Sequence, residues 1–212
     1  MDFGRMLFWR KPPIADLSAL ADFIDERAAF AVQKGIYEYS RARSGHYAKV
    51  MFSEQTFLDA VEASRWRAYP LGLAMVTELV EGILLPHAYG ERGRQLERLS
   101  TLVLAVYDKY AVPAALTVQT WNEARTELYR RLQLIGLHPP KRALDVPKPF
   151  MKEYFDLLPI HPELRAPDYG TTRNYLKIVM CNIHDELTER MIAPAISRQL
   201  CGHDQPQPSA TA

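Results

Sequence analysis

The sequence predicts an all-α protein: a single-domain irregular bundle of about six main helices, with a central apolar helix and proline-rich connectors. Over most of the 212 residues, apolar side chains recur every three or four positions, which is the spacing of an amphipathic helix. Runs that alternate apolar and polar β-formers are nearly absent, and no Asn-Gly or Asp-Gly hairpin turn occurs. No fixed-period repeat is present, which argues against a solenoid.

The first helix is predicted to begin at Asp16, whose carboxylate can cap it, and to reach about Arg43 before Gly45 interrupts it. Small and apolar side chains at helical spacing form its inward row: Leu17, Leu20, Ile24, Ala28, Ala31 and Gly35. The small members of this row predict that another helix approaches closely. Glu38 continues the row, so we expect a carboxylate to face the core.

The second helix is predicted to be capped by Ser53, with Phe52 and Phe57 in the positions of a hydrophobic staple. Pro70 is expected to kink or divide this helix, because its ring removes a backbone donor. The segment 71–85 is apolar on all sides except at three polar positions, and it stops before Pro86. It is therefore predicted to be the central, most buried helix.

Further helices are predicted over residues 91–110, 120–136, 149–158 and 172–190. Thr120 and Glu123 have the spacing of a capping box and are expected to open the second of these. Pro194 is expected to break the last long helix. Residues 138–149 are rich in proline and predict a connector with little regular structure.

Three regions are predicted along the chain: an arm over residues 1–13, the helical domain over 14–200, and a disordered tail over 201–212. Aromatic and other apolar residues are mixed with basic ones in residues 1–11, which would suit peripheral contact with a membrane surface. The alternative is an arm that packs on its own domain or on a partner subunit. No run of 18 apolar residues is present, so no membrane span is expected.

The composition indicates which binding partners and which cellular compartment to expect. The chain has 26 basic and 25 acidic residues, so no basic field favours nucleic acid. The two cysteines, Cys181 and Cys201, have neither metal-ligand spacing nor a disulfide framework. Free thiols in a reducing cytoplasm are the simplest interpretation. No cofactor motif and no metal motif is found, so neither a cofactor nor a metal is predicted.

Glu38 and Glu78 lie on apolar helical rows, where an ionised carboxylate is costly to bury without a partner. One interpretation is a structural network in which they pair with arginines inside the bundle. A second is a ligand site, and a third is a hard cation held by paired glutamates. The pairs with suitable spacing are Glu78 with Glu81 and Glu186 with Glu189. The Glu-x-x-His signature of a di-iron bundle is absent.

The ligand hypothesis places a small anionic molecule in a polar pocket within the bundle, because arginine suits bidentate recognition of carboxylate or phosphate. The predicted binding residues are Glu38, Arg41, His46, Arg65, Arg67 and Glu78. The sequence thus favours a helical binding or adaptor protein in the cytoplasm. Its expected protein partner is a second copy of the chain, forming a homodimer, or another protein. The other expected partner is a membrane surface, contacted through residues 1–11.

A small α-helical enzyme, most plausibly a hydrolase or esterase of non-standard build, is the alternative. Its pocket would use the same carboxylates with Arg41 and His46, extended by Asn182 or Glu186. Cys181, His184 and Asp185 share one helix, but a helix interior offers no free N–H pair for an oxyanion. Ser44 lies near His46, although the G-x-S-x-G elbow is absent.

Overall fold

The computed structural model describes residues 11–88 and 90–202, and every regular element in those ranges is helical. The predicted all-α bundle is confirmed. The β-type pairing within these ranges is an isolated parallel bridge between Ile14 and Met191. Most of the predicted amino-terminal arm and of the predicted disordered tail lies outside the described residues.

The first helical rod comprises α1 (Leu17–Ala28), a π-helical segment (Ala29–Lys34) and α2 (Gly35–Ser44). Asp16 caps it as predicted, because its Oδ1 accepts a hydrogen bond of 2.8 Å from the backbone N–H of Ala19. Gly45, with a positive φ of 52°, follows the last residue, as predicted. The π-helical segment, which the sequence did not reveal, widens the turn in the middle of the rod.

Two tyrosines reach into the backbone of the π-helical segment. The hydroxyl of Tyr175 donates to the carbonyl of Ala31 at 3.2 Å, and that of Tyr154 donates to Val32 at 3.4 Å. A Cβ on Gly35 would lie 2.7–2.8 Å from these two side chains, so only glycine leaves them room. Side chains that insert into the backbone ladder are a recognised cause of local helix distortion. The predicted close approach at Gly35 is therefore observed.

The second rod follows a 3₁₀ turn (Gly45–Tyr47) and the short α3 (Ala48–Met51), and is formed by α4 (Gln55–Leu84). The expectation that Ser53 caps it is wrong: Glu54 occupies that position, and the Ser53 hydroxyl donates to Val50. The Phe52 and Phe57 rings still meet, with centroids 5.2 Å apart. Pro70 lies inside α4 and does not divide it.

The central position of α4 is confirmed, since all side chains from Ala68 to Glu81 are buried. Gly72 allows the contact with α1, because a Cβ there would lie 2.8 Å from the carbonyl of Ala28. By length and composition alone, the segment Gln55–His87 could cross a membrane, which differs from the sequence expectation. However, 83% of its apolar window is buried within the bundle, as is usual for a core helix.

Two helices pack beside α4, namely α5 (Arg92–Asp108) and α6 (Val118–Ile135), close to the predicted ranges. The proposed capping box at Thr120 is displaced by one turn. Thr117 is the cap, and its hydroxyl accepts from the backbone N–H of Thr120 at 3.1 Å. Both positions carry a hydroxyl that can cap, so the sequence pattern did not distinguish them.

The carboxyl-terminal half contains α7 (Met151–Asp156), α8 (Pro162–Arg165), α9 (Tyr169–Arg190) and α10 (Ala193–Cys201). Residues 136–150 connect α6 to α7 through two 3₁₀ turns, Ala143–Asp145 and Lys148–Phe150. We call residues 136–150 the connector. α9 ends at Arg190, and Pro194 lies in the first turn of α10. Cys181 and Cys201 are both free thiols, as expected.

Candidate functional site

Four of the six predicted binding residues, Glu38, Arg41, His46 and Arg67, are exposed at the surface. Glu38 is exposed, so its predicted inward position is wrong. The π-helical segment between Leu20 and Glu38 takes more residues per turn than an α-helix, and in α2 the buried side chains are Ile36 and Ser40, so Glu38 falls on the opposite side. Arg41 and His46 are exposed at the end of the same rod, and Arg67 is exposed on α4.

The predicted ion pairs form with other partners. Arg65 contacts Glu62 one turn earlier, at 2.8 Å between Nη1 and Oε2. Glu78 contacts the connector instead of Arg41, Arg65 or Arg67. Arg65, Arg67 and Glu78 each line a different cavity. The ligand hypothesis for the six residues as one set stays a prediction, but the interpretation that these arginines neutralise the buried carboxylates is wrong.

The buried carboxylate of Glu78 faces two basic side chains of the connector. Only 5% of Glu78 is exposed. Its Oε1 lies 2.7 Å from Nζ of Lys141 and 3.6 Å from Nε2 of His138. The other ring nitrogen of His138, Nδ1, lies 2.9 Å from the carbonyl of Pro139. The imidazole thus has one nitrogen within hydrogen-bond distance of a backbone carbonyl, while the other faces the Glu78 carboxylate from beyond hydrogen-bond distance.

A second buried carboxylate holds the connector in place. Glu81 lies one turn along α4, is 3% exposed, and accepts a hydrogen bond of 2.8 Å from Nε of Arg92. The same arginine donates from Nη2 to the backbone carbonyl of His138 at 3.0 Å. Arg92 therefore links α4, α5 and the connector. Because one guanidinium donates to both Glu81 and the carbonyl of His138, the position of His138 depends on how α4, α5 and the connector are packed.

A cavity of about 310 Å³ opens beside Glu78, between α4, α6 and the connector. We call it the Glu78 cavity. Its lining residues are Ala74, Glu78, Arg130, Arg131, Leu134, Ile135, His138, Lys141, Pro149 and Phe150. Three cations and one histidine thus share a partly apolar cavity with a single carboxylate. Its volume lies at the lower end of the range of about 300–1,000 Å³ for small-molecule sites.

Two carboxylates behind the cavity orient its arginines. Glu127 accepts two hydrogen bonds of 2.7 Å from Arg130 and one of 2.7 Å from Arg131. The Arg130 guanidinium, with further help from Arg131, lowers the pKa of Glu127 to about 2 against the desolvation that opposes it. Nη2 of Arg131 also reaches Glu153 at 2.6 Å, and its guanidinium lies 5.3 Å from the centroid of Phe150. Arg131 is thereby fixed, whereas Arg130 remains largely exposed.

Sequence reasoning missed His138 and Lys141 because the connector lacks a periodic pattern. A usable signal was present, since a buried glutamate on an apolar helix requires a cation. The connector places a histidine and Lys141 close together in sequence, in a segment too short to fold independently. That combination indicates a segment that folds back onto a buried charge.

The residues of the hydrolase alternative lie on a helix surface. Nδ1 of His184 is 3.5 Å from Oδ1 of Asp185, which is exposed, and Cys181 is partly buried. The Ser44 hydroxyl donates to the carbonyl of Ser40 at 2.8 Å rather than to His46. Glu186 pairs with Lys11, Arg27 and Arg190, which lower its pKa although desolvation opposes them. Within the described residues, no group of three His, Cys, Asp or Glu is placed to hold a metal.

A third buried carboxylate lies in an aromatic cluster on the other side of α4. Asp25 accepts hydrogen bonds from the hydroxyls of Tyr69 at 2.6 Å and Tyr110 at 2.9 Å, and from Nζ of Lys109 at 3.0 Å. Burial, followed by the bond to Asp25, raises the pKa of Tyr69 well above its ordinary value. The carboxylate is saturated with donors, so this cluster is a closed structural network.

No protein-family model, no curated protein and no solved structure matches this chain. The fold and the site together define an all-α helical bundle with a charged cavity beside its central helix.

Proposed function

We propose that this protein binds a small anionic molecule in the Glu78 cavity and acts as a helical binding protein. The observation that carries the proposal is the ion pair of 2.7 Å between the buried Glu78 and Lys141 at the cavity wall. Binding sites commonly combine an apolar enclosure with a few fixed polar groups. The Glu78 cavity has both features, and its polar groups are anchored on three separate elements.

The cations that line the cavity determine the charge of the ligand. Lys141 uses one contact with Glu78, and an ammonium group has three donors. Arg130 directs Nε and Nη2 to Glu127, which leaves Nη1 available for another acceptor. A carboxylate or phosphate between these groups would form charge-assisted hydrogen bonds, which are about twice as strong as neutral ones.

Apolar side chains determine the remainder of the ligand. Ala74, Leu134, Ile135 and Phe150 line the same cavity. A ligand that carries one anionic group and a short hydrocarbon part would cover them, at about 25 cal/mol per Å² of buried apolar surface. Lysine and arginine therefore supply recognition of the charge, while the apolar wall discriminates between an aliphatic acid and a bare anion.

Native mass spectrometry and calorimetry test the proposal with full-length protein. We expect a small added mass after gentle purification, or saturable binding of hexanoate stronger than that of inorganic phosphate. Lys141→Met should weaken binding about tenfold or more, because it removes a charge-assisted contact. The matched control is Lys152→Met, since Lys152 is exposed and pairs with Asp156 away from the cavity. Absence of an added mass together with absence of binding by both probes would contradict the proposal.

One further variant separates this cavity from the site predicted from the sequence. Arg41→Ala removes an exposed arginine of α2 that does not line the Glu78 cavity. Binding in the cavity should therefore be unchanged by Arg41→Ala and weakened by Lys141→Met. The reverse pattern would favour the site predicted around Arg41 and His46.

General acid–base chemistry is a second candidate function, favoured by one contact. Nε2 of His138 lies 3.6 Å from the carboxylate of Glu78, and a proton could pass between them. The cavity is lined by neither serine, threonine nor cysteine, so water would have to act as the nucleophile of a hydrolase. Hydrolysis of a small ester that falls in His138→Gln, while hexanoate binding persists, would support this candidate.

A further inference from the structure

A second groove lies along the π-helical segment, away from the Glu78 cavity. It has a volume of about 510 Å³ and is lined by residues of the first rod and by Arg65 of α4. The residues that matter for its chemistry are Glu26, Phe30, Gln33, Lys34, Tyr37 and Arg65. π-helical insertions occur frequently at functional sites, because they place side chains outside the α-helical phase.

Among the described residues, two buried N–H donors on side chains that line this groove have no hydrogen-bond partner. Gln33 is only 8% exposed, and its buried Nε2 is unpartnered. Nε of Arg65 is also buried without a hydrogen bond, although Nη1 of the same side chain contacts Glu62. A buried donor without an acceptor destabilises a fold, because it has lost its hydrogen bonds to water and gained none in exchange. Two such donors in one groove indicate that an acceptor oxygen from outside completes the arrangement.

Aromatic rings form the exposed walls of the groove. Phe30 and Tyr37 are each 40% exposed, although both belong to the ordered rod. Tyr37 is supported from behind by Phe52, with ring centroids 5.3 Å apart in an edge-to-face arrangement. Rings held in this way offer flat surfaces to another aromatic group at a low entropic cost. The groove can therefore receive a planar ring between Phe30 and Tyr37.

The charges at the groove favour an anionic acceptor. Nζ of Lys34 lies 5.1 Å from the centroid of Phe30, so an ammonium group stands above this wall. Glu62 compensates the charge of Arg65, and Glu26 at the rim contacts Arg27 at 3.9 Å. Lys34 is thus the cation that can neutralise a ligand carboxylate, while Glu26 opposes an anion that lies close to the rim.

We propose that the groove along the π-helical segment is a second ligand site, which binds a small aromatic carboxylate. The carboxylate accepts from Nε2 of Gln33 and Nε of Arg65, and the ring lies between Phe30 and Tyr37. Lys34 neutralises the charge. This site is independent of the Glu78 cavity and does not require that cavity to bind anything.

Calorimetric titration of full-length protein with 1-naphthoate tests the proposal. We expect saturable binding that the neutral analogue 1-naphthalenemethanol does not reproduce. Gln33→Met should weaken binding about tenfold or more, because it keeps the side-chain length and removes the donor. Gln33→Glu should weaken it further, since it presents a carboxylate to a carboxylate. Without ligand, the Tm of Gln33→Met should equal or exceed that of the original chain, because the lost donor was unpaired.

The controls distinguish this site from the Glu78 cavity and from damage to the fold. Gln119→Met changes an exposed glutamine of α6 and should leave naphthoate binding unchanged. Phe30→Ala truncates an exposed wall and should weaken binding with little loss of stability. Unchanged affinity in Gln33→Met, loss of binding in Lys141→Met instead, or no binding by 1-naphthoate at millimolar concentration would each overturn the proposal.

Discussion

Glu78 of the central helix and Lys141 of the connector form an ion pair, with 2.7 Å between Oε1 and Nζ. The carboxylate is almost fully buried, whereas the lysine side chain is 30% exposed. The pair therefore joins the most apolar helix of the bundle to a segment that has no long helix of its own. A proline-rich connector is held in one conformation because a buried charge requires its lysine.

Lys141→Met should lower the free energy of unfolding by about 1–3 kcal/mol, because it leaves Glu78 buried without its cation. The double variant with Glu78→Gln should recover most of this loss, since no buried charge then remains. Urea denaturation of the two single variants and the double variant measures the coupling. Lys152→Met, in an exposed pair, should cost less than about 1 kcal/mol. Additive effects of the two changes would show that the pair is not coupled.

Tyr69→Phe should destabilise the fold by about 1.5–3 kcal/mol, because it removes a hydrogen bond to the buried carboxylate of Asp25. The phenyl ring keeps the aromatic packing, so the loss reports mainly on the hydroxyl. The matched control is Tyr129→Phe, at an exposed position of α6, where a change within about 0.5 kcal/mol is expected. Equal effects of the two substitutions in thermal or urea unfolding would refute the proposed network.

Gly35→Ala should destabilise the protein by about 1–3 kcal/mol, because the added Cβ would lie 2.7–2.8 Å from Tyr175 and Tyr154. In an ordinary helix interior the same change stabilises the helix, since glycine is a weaker helix former than alanine. Gly93→Ala, in the first turn of α5, provides an unhindered comparison, because a Cβ on Gly93 meets nothing within 4 Å. It should raise stability by at most about 1 kcal/mol. The expected result is thus a difference in sign between two identical substitutions.

Acid titration should find Glu127 ionised well below its ordinary pKa of 4.5, with a folded-state pKa of about 2. Because the folded-state pKa is lowered, its stabilising effect is present above about pH 4.5 and is lost as the pH falls toward 2. Arg130→Ala removes the largest cause and should move the pKa upward toward the ordinary value. Side-chain NMR of Glu127 in both proteins measures this shift, and an unchanged value in the variant would exclude Arg130 as its cause.

The helices could be predicted from the sequence because each depends on local chemistry. Asp16 was correctly predicted to cap the first rod, and the apolar segment after Pro70 is the buried centre. The caps at Ser53 and Thr120 were misplaced by one and three residues: Glu54 holds the first cap position without a side-chain hydrogen bond, and Thr117 caps the other helix. The π-helical segment was not predicted, and the tyrosines that contact its carbonyls, Tyr154 and Tyr175, are 122 and 144 residues away from them in the sequence.

The site could be predicted only in part, because it too contains contacts between residues that are distant in the sequence. The need of Glu78 for a partner follows from its apolar surroundings and could be inferred from the sequence. The identity of that partner could not, because helical spacing says nothing about which connector folds back on a given helix. Glu38 shows the complementary failure. A continuous α-helical row was extrapolated across a segment that is not α-helical, and the carboxylate lies at the surface.

The bridge between Ile14 and Met191 has a consequence for how the chain reaches its native state. Ile14 donates its N–H to Arg190 at 2.8 Å and accepts from Ile192 at 2.9 Å. During synthesis, these two backbone hydrogen bonds can therefore form only after almost the entire domain has emerged from the ribosome. Contacts this distant in sequence slow folding, because the loop must close before they contribute. The bundle is therefore complete only once the turn after α9 has paired with the segment before the first rod.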